Sequence, residues 1–346
     1  FKILDLLIKH GADINRKNSL GKTALHIAVE RDHKFLVKKL TELGADVGAL
    51  DGDGKTPSEY AKSKSVADTL KRGRSTKRVS LDKKDLEAGF EAYRKDNYIV
   101  ALRLLRPFAA IGNYKAQMVI GAIYHFGSGG VEKDYDNAAV WLGKAANQGE
   151  DYSQFLLGRM YAEGLGVKKD DAKAAKWFRL AADQGNSSAQ VELGYYYEDG
   201  VGGLKKNRAK AANLYRLAAE QGNVQGQLLL GIALNGGLGV TQDHAEAAKW
   251  YLKAADRGAS LAQRYLGHAY RSGQGVTQDY AKAAKWFRLA ADQGDAVSQL
   301  FLGAAYFNGR GVPKDVVVAY MWLNLAAARG DKDAEKLRET IGKTMS

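Results

Sequence analysis

Apolar residues along most of the chain fall at spacings of three and four, in paired segments that repeat. Such spacing places an apolar stripe along a helix. Within one repeat it predicts helices over stretches such as Ala262–Arg271 and Tyr280–Asp292, joined by a Gly-x-Gly-Val loop. A glycine after leucine or isoleucine recurs with steps of 37, 36, 37, 36 and 36 residues, at Gly121, Gly158, Gly194, Gly231, Gly267 and Gly303. Repeats of this length predict a helical solenoid.

Other repeated positions have expected mechanical roles. Small residues of the first helix let a neighbouring helix approach closely, and a large apolar residue of the second helix is expected to fill the space between helices. That large residue is Trp141, Trp177, Leu214, Trp250, Trp286 and Trp322 in the six units. An acceptor for the N-cap of the second helix is predicted at Asp170, Asp243, Asp279 and Asp315.

This register of glycine, tyrosine and tryptophan resembles the Sel-one-like repeat family over about residues 86–340. The resemblance implies a tetratricopeptide-like α/α solenoid. Residues 86–112 look like a degenerate first helix pair, and residues 331–340 begin another first helix. The solenoid is therefore expected over residues 86–346, as the degenerate pair, six units and the start of a C-terminal cap.

The first third of the chain has a different period. GKTALHIA at Gly21–Ala28 returns as GKTPSEYA at Gly54–Ala61, a step of 33 residues. This period and the TALH sequence resemble the ankyrin repeat. An ankyrin array is therefore expected over residues 1–70. Since three or more repeats are normally needed for stability, we expect further repeats before Phe1, so that the array is truncated.

A basic segment, KRGRSTKRVSLDKK, lies between the two arrays, and a linker is expected over residues 71–85. The chain carries a net charge of +13, which favours acidic partners. It has no cysteine, which excludes disulfides, thiolate zinc sites and cysteine nucleophiles. The predicted fold class is all-α: an α/α solenoid of Sel-one-like repeats preceded by a short ankyrin repeat array, with short ankyrin hairpins.

No catalytic residue, metal site or cofactor is expected from the motifs. Gly-Lys-Thr at Gly21 and Gly54 lacks the glycine that a P-loop needs five positions earlier, where Arg16 and Ala49 stand. The six histidines do not pair at metal-ligand spacing. The ankyrin resemblance implies that His26, in the TALH sequence, makes a local hydrogen bond.

Two short matches to an acylation motif give an alternative. Ser19-x-x-Lys22 and Ser80-x-x-Lys83 match the Ser-x-x-Lys of penicillin-binding enzymes, and some relatives of the Sel-one-like family are linked to β-lactam binding. No Lys-Thr-Gly element accompanies them. Chance is the favoured interpretation of both matches.

Partner binding is expected from first-helix positions that do not repeat. Helical geometry places them opposite the packed face, on the concave surface of a solenoid. The predicted residues are Phe155, Arg159, Tyr195, Glu198, Asn235, Arg264, His268, Arg271 and Phe307, with Val191 and Leu228 at equivalent positions. Arg264, His268 and Arg271 form a basic cluster that suits an acidic peptide or a C-terminal carboxylate. In the ankyrin part, the predicted contacts are Arg16, Lys17, Asn18, Arg31 and His33.

The predicted function is a non-enzymatic protein–protein interaction scaffold or adaptor, in signalling or as a bacterial protein acting on host cells. One alternative is a β-lactam-binding or cell-wall-associated enzyme of the Sel-one-like class. The other is nucleic-acid binding through the basic linker. We expect protein or peptide partners, no small-molecule substrate and no membrane span, because no apolar run approaches about 20 residues. The expected location is the cytoplasm or a host cell.

Overall fold

A computed structural model of the chain describes residues 14–75 and 82–345. The described residues form helices and no strand, so the all-α prediction is confirmed. They divide into two compact units. The first unit holds the residues up to Glu150 together with Leu165–Val167, and the second holds Asp151–Gly164 and the residues from Lys168 onward.

The first unit contains the described ankyrin residues, the helix pair expected as a degenerate repeat, and one solenoid repeat. Its helices are α1 Ala24–Glu30, α2 Lys34–Glu42, α3 Lys64–Ser75, α4 Lys83–Arg94, α5 Tyr98–Ala110, α6 Tyr114–Phe126 and α7 Tyr135–Asn147, with a 3-10 helix at Pro57–Tyr60. Residues 71–75 of the expected linker form the end of α3, and residues 83–85 of the linker form the start of α4. Residues 76–81 of the linker lie outside the described residues.

The second unit contains the other five repeats and the C-terminal helix. Its helices are α8 Asp151–Glu163, α9 Asp171–Asp183, α10 Ser187–Asp199, α11 Arg208–Glu220, α12 Val224–Gly236, α13 His244–Asp256, α14 Ser260–Ser272, α15 Tyr280–Asp292, α16 Ala296–Asn308, α17 Val316–Ala328 and α18 Lys332–Met345. Each repeat contributes a first helix and a second helix of 13 residues.

The predicted caps hold the second helices in place. The side chain of Asp279 accepts from the backbone N–H of Lys282 at 2.9 Å. Asp170, Asp243 and Asp315 make the equivalent bond, and so does Asn207 at the cap of α11. Each bond satisfies one N–H that the first turn leaves without a partner.

Close packing within each repeat depends on the repeated glycine of the first helix. A Cβ atom on Gly267 would lie 2.7 Å from the ring of Phe287, which is fully buried. The same relationship joins Gly121 to Leu142, Gly158 to Phe178, Gly194 to Tyr215, Gly231 to Tyr251 and Gly303 to Leu323. The two helices of a repeat therefore interlock through a glycine and one large side chain.

This relationship corrects the expectation that the tryptophan position dominates the space between helices. The interlocking residue is the one that follows the tryptophan. Trp250 and Trp322 are buried, but Trp177 and Trp286 are only half-buried. The tryptophan lies at the edge of the core because its neighbour in sequence takes the inward position on the helix.

A buried glutamine in each first helix joins consecutive helices. Nε2 of Gln263 donates to the carbonyl of Ala255, at the end of the preceding second helix, at 3.2 Å. Its Oε1 accepts from Nε2 of Gln293, at the end of its own repeat, at 2.8 Å. Gln117 and Gln148, and Gln190 and Gln221, repeat the arrangement. We call this the glutamine ladder.

The glutamine ladder is interrupted in the repeat of α12 and α13. Gln227 donates to the carbonyl of Ala219 at 3.3 Å. At the end of this repeat, Arg257 stands where the next repeat has Gln293, the glutamine that donates to the ladder. Nη1 of Arg257 donates instead to the carbonyl of Gly222. Within the described residues, Oε1 of Gln227 is buried without a hydrogen-bond partner. An unsatisfied buried acceptor costs about 1–3 kcal/mol.

The ankyrin part is held by the hydrogen bond implied for His26. Nδ1 of His26 accepts from the backbone N–H of Thr23 at 3.2 Å, so the ring proton is on Nε2. Nε2 then donates to the carbonyl of Lys55 at 3.1 Å. Since Lys55 belongs to the next hairpin turn, one imidazole caps α1 and ties two ankyrin repeats together.

Candidate protein-binding surfaces

A surface groove in the ankyrin part brings together three of the predicted contact residues. Asn18, Arg31 and His33 line it, although the hairpin turn and the helix end are separate segments of the chain. The other lining residues are Leu20, Lys22, Ile27, Glu30 and Lys62, and the groove has a volume of about 680 Å³. Arg16 and Lys17 are exposed but do not line it. We call this surface the ankyrin groove.

The hairpin turn at the rim of the ankyrin groove is fixed by Asn18. Its Oδ1 accepts from the backbone N–H of Leu20 at 3.0 Å and of Lys22 at 2.9 Å. Asp51 fixes the next turn in the same way, because its Oδ1 accepts from the backbone N–H of Asp53 at 3.0 Å and of Lys55 at 2.9 Å. Asparagine and aspartate favour such turns, because their side chains bond to the backbone two residues on.

Two of the charges in the ankyrin groove neutralise each other. Nζ of Lys22 lies 2.9 Å from Oε2 of Glu30. Their hydrogen bond raises the pKa of Lys22 and lowers the pKa of Glu30. In the part of the chain that the structure describes, Arg31 and Lys62 have no ion-pair partner. The groove is therefore lined by three cationic side chains and one carboxylate, and it presents net positive charge beside the exposed side chain of Leu20.

The predicted solenoid residues lie on one face of the first helices, with two exceptions. Phe155, Arg159, Tyr195, Glu198, Asn235, Arg264, His268 and Phe307 are half-buried, and Arg271 is exposed. Val191 and Leu228 were predicted at equivalent positions, but both are buried in the core. The expectation that they line a binding surface is therefore wrong. A row that the sequence reasoning missed lies beside the predicted one, at Glu192, Leu229, Tyr265 and Phe301. We call this combined surface the first-helix face.

The basic cluster on α14 is less cationic than its sequence indicates. Nη1 of Arg264 lies 3.0 Å from Oδ2 of Asp295, the N-cap of α16, so this charge is compensated. His268 packs edge-on against Phe287 and Phe301, with ring centroids 5.2 and 4.5 Å away. Burial, together with the charges of Arg271 and Arg264, lowers the pKa of His268 to about 4. His268 is therefore neutral at pH 7.

Several other predicted residues are engaged within the chain. Oδ1 of Asn235 lies 2.9 Å from Nδ1 of His244. Glu198 accepts a hydrogen bond from the hydroxyl of Tyr215 at 2.9 Å. Arg159 donates to Oε1 of Glu163 through Nε at 3.1 Å and Nη2 at 2.6 Å. These contacts orient the side chains of the first-helix face, since each is held by a bond to its own or a neighbouring helix.

Among the residues that the structure describes, no cluster of three histidine or acidic residues is placed to hold a metal ion. No helix of that part is long and apolar enough to cross a membrane. Lys22, the lysine of the described Ser-x-x-Lys match, is bound to Glu30 with a raised pKa. A lysine that acts as a base needs a lowered pKa, so this arrangement disfavours acylation chemistry. The match at Ser80 lies outside the described residues.

Comparison with known proteins decides the family. Sel1 repeats match six consecutive segments, at residues 115–150, 151–186, 187–223, 224–258, 260–295 and 296–331. The chain belongs to the Sel1 repeat family. Ankyrin repeats, in three copies, match residues 1–75. Sel1 and ankyrin repeats are both typical protein-interaction scaffolds, and such repeat families are generally non-catalytic.

Two solved structures of Sel1 repeat proteins are similar to this chain. A Sel1 repeat protein from Oxalobacter formigenes is 32% identical, with a TM-score of 0.63, over 71% of this chain and 97% of that chain. The protein c5321, a protective antigen of uropathogenic Escherichia coli strains, is 37% identical, with a TM-score of 0.65, over 69% of this chain and 51% of that chain. They confirm the predicted solenoid fold.

The curated relatives of the Sel1 repeat protein match short segments. Human protein phosphatase 1 regulatory subunit 27 is 43% identical over 54 residues, which is 16% of this chain and 35% of that protein. The Arabidopsis thaliana potassium channel AKT1 is 42% identical over 60 residues, which is 17% of this chain and 7% of that protein. This chain thus covers only a small share of each relative's length.

Proposed function

We propose that this Sel1 repeat protein is a non-enzymatic adaptor that binds other proteins through the ankyrin groove and the first-helix face. The ankyrin groove carries the proposal. Two separate chain segments meet there, with Asn18 on the turn and Arg31 and His33 at the end of α1. Concave surfaces of stacked repeats are well suited to binding extended partners.

The chemistry of the ankyrin groove favours a partner with acidic and apolar side chains. Arg31 and Lys62 supply positive charge that no described residue compensates with an ion pair. Leu20, with 66% of its surface exposed, and Ile27 supply apolar contact area beside them. Oppositely charged surfaces speed encounter and set specificity, and apolar contact adds affinity.

We propose protein partners in preference to nucleic acid. The nucleic-acid alternative rests on the charge of the basic linker, and residues 76–81 of that linker lie outside the described residues. No aromatic residue interleaves with its cations, so it lacks the stacking platform typical of single-strand binding.

We further propose that the adaptor works in signalling or as a bacterial protein that acts on host cells. Similar structures from Oxalobacter formigenes and uropathogenic Escherichia coli support a bacterial setting. The similarity to a human phosphatase regulatory subunit supports a role in binding signalling proteins, over its 54 matched residues.

Affinity capture with the whole chain tests the proposed function. Wild type and Arg31→Glu/Lys62→Glu are used as baits, and captured proteins are quantified by mass spectrometry. Lys38→Glu is a single charge-reversal control on the exposed side of α2, outside the groove. We expect a discrete protein that the double variant loses and Lys38→Glu retains. Capture of nucleic acid alone, or hydrolysis of nitrocefin by the chain, would overturn the proposal.

A further inference from the structure

The first-helix face of the second unit changes charge from one first helix to the next. Helix α10 carries three carboxylates, at Glu192, Glu198 and Asp199. Helix α12 contains no ionisable side chain. Helix α14 carries Arg264 and Arg271. Three neighbouring first helices therefore present acidic, uncharged and basic chemistry in that order.

Contacts between the helices make these stretches one continuous surface. Nε2 of Gln225 on α12 donates to the hydroxyl of Tyr195 on α10 at 2.8 Å. Leu229 and Ile232 of α12 and Tyr265 of α14 pack against the same apolar cluster. An uncharged, apolar strip therefore separates the acidic end from the basic end.

The acidic end contains a carboxylate that lacks a partner. Glu192 is half-buried, and among the described residues no side chain forms a hydrogen bond or ion pair with it. Arg159, the cation that acts on it electrostatically, is already bound by Glu163. Burial raises the pKa of Glu192, because the carboxylate is poorly solvated there. A cation supplied from outside the chain would stabilise it.

The basic end contains an arginine that is oriented in advance. The guanidinium carbon of Arg271 lies 4.5 Å from the centre of the Phe301 ring, and the side chain is exposed. Arg264 is compensated by Asp295. A guanidinium held against a ring still offers its N–H edge to a carboxylate, with less entropy left to lose on binding.

We propose that this face binds an extended peptide that carries a basic side chain at Glu192 and a carboxylate at Arg271. This inference rests on the proposed binding function and names the chemistry of one partner segment. Leu229 and Ile232 would contact an apolar side chain between the two charges. A helix with its side chains is about 10–12 Å in diameter, so two steps between first helices span roughly 20–24 Å. Since an extended chain advances about 3.3 Å per residue, the two charges are separated by about six or seven residues.

Fluorescence polarisation with the whole chain and three labelled peptides tests this inference. Each peptide has seven residues, with a central leucine and serine spacers. Its first and last residues are lysine and aspartate, two lysines or two aspartates. We expect the lysine–aspartate peptide to bind at least about tenfold more tightly than the other two, because each of those loses one charge-assisted contact.

Charge reversal in the chain sharpens the test. Arg271→Glu is expected to shift the preference to the two-lysine peptide, and Glu192→Lys to the two-aspartate peptide. The double variant should again prefer the lysine–aspartate peptide. Lys249→Glu, on the exposed side of α13, is the matched control and should preserve the wild-type order. Arg271→Gln and Glu192→Gln replace any variant that fails to fold, and each should weaken lysine–aspartate binding about tenfold.

Equal affinities for the three peptides, or an order that the variants do not change, would overturn the inference. Absence of binding by all three at millimolar concentration would also overturn it. Neither outcome affects the proposed binding of proteins by the ankyrin groove, which is tested by capture with Arg31→Glu/Lys62→Glu. Conversely, a chain that captures no protein but ranks the peptides as expected would refute the role of the ankyrin groove and leave the first-helix face as the binding surface.

Discussion

Gly267 on α14 packs so closely against Phe287 on α15 that a methyl group on the glycine would lie 2.7 Å from the ring. We expect Gly267→Ala to lower the free energy of unfolding by about 1–3 kcal/mol, because the ring must move within a packed core. Urea unfolding measures the change. Gly143→Ala is the control, since a Cβ on Gly143 of α7 meets nothing within 4 Å. That change should be neutral or stabilise by about 0.5–1 kcal/mol. Equal losses in both variants would contradict the interlocking relationship.

Arg257→Gln should complete the glutamine ladder. The new amide would donate to Oε1 of Gln227, which has no partner among the described residues. We expect a gain of about 0.5–1.5 kcal/mol in the free energy of unfolding, the net value of one hydrogen bond. Gln293→Ala is the opposite change, because it removes the donor to Gln263, and it should destabilise the chain. A loss of stability in Arg257→Gln would show that the bond from Arg257 to the carbonyl of Gly222 stabilises the chain more than the new bond to Gln227.

The stability of the second unit should fall as the pH drops from about 6.5 to about 4. The pKa of His268 is about 4 in the folded chain, against an ordinary value of 6.5. Over that range the unfolded chain takes up a proton that the folded chain does not, so acid favours unfolding. Above pH 6.5 both states are neutral at this residue and the effect is absent.

The variant His268→Phe isolates this contribution. A phenyl ring keeps the edge-on packing against Phe287 and Phe301 but takes up no proton. We therefore expect a smaller loss of stability between pH 7 and pH 5 than in wild type, measured by urea unfolding at each pH. Identical losses would exclude His268 as the titrating group.

Asp51 should titrate far below an ordinary aspartate. The hydroxyl of Tyr60 donates to its Oδ2, and with the backbone N–H groups of Lys55 and Asp53 it lowers the pKa to about 2. Its stabilising contribution is therefore complete above about pH 4 and is lost as the pH falls toward 2. Carbon-13 NMR of the Asp51 carboxyl measures this directly. Tyr60→Phe should move the midpoint upward, and a wild-type midpoint near 3.8 would contradict the assignment.

The sequence predicted the repeats well, because their fixed glycines and caps recur with the period of the fold. It misplaced the large core residue. Trp286 and Phe287 are both apolar and adjacent, and helical periodicity alone does not tell which one points inward. The glutamine ladder was missed for a different reason. Gln263 and Gln293 recur at the repeat spacing, but they are polar, and a pattern of apolar positions gives no sign that a polar side chain is buried.

The binding surfaces were less predictable than the fold. Asn18, Arg31 and His33 were chosen from sequence and do line one groove. On α14, however, formal charge was a poor guide. Arg264 is compensated by Asp295, the N-cap of the next first helix, and packing keeps His268 neutral at pH 7. Both effects depend on contacts between helices, which a count of basic residues does not contain.

The measurement that tests the central claim most directly is the affinity of a captured protein for the purified chain, by isothermal titration calorimetry. Wild type, Arg31→Glu/Lys62→Glu, Arg264→Glu/Arg271→Glu and the Lys38→Glu control are compared. A scaffold that binds through the ankyrin groove predicts at least about tenfold weaker binding for the first double variant, with Lys38→Glu equal to wild type, because rim charges set electrostatic complementarity. Unchanged affinity in Arg31→Glu/Lys62→Glu would contradict the account of the ankyrin groove.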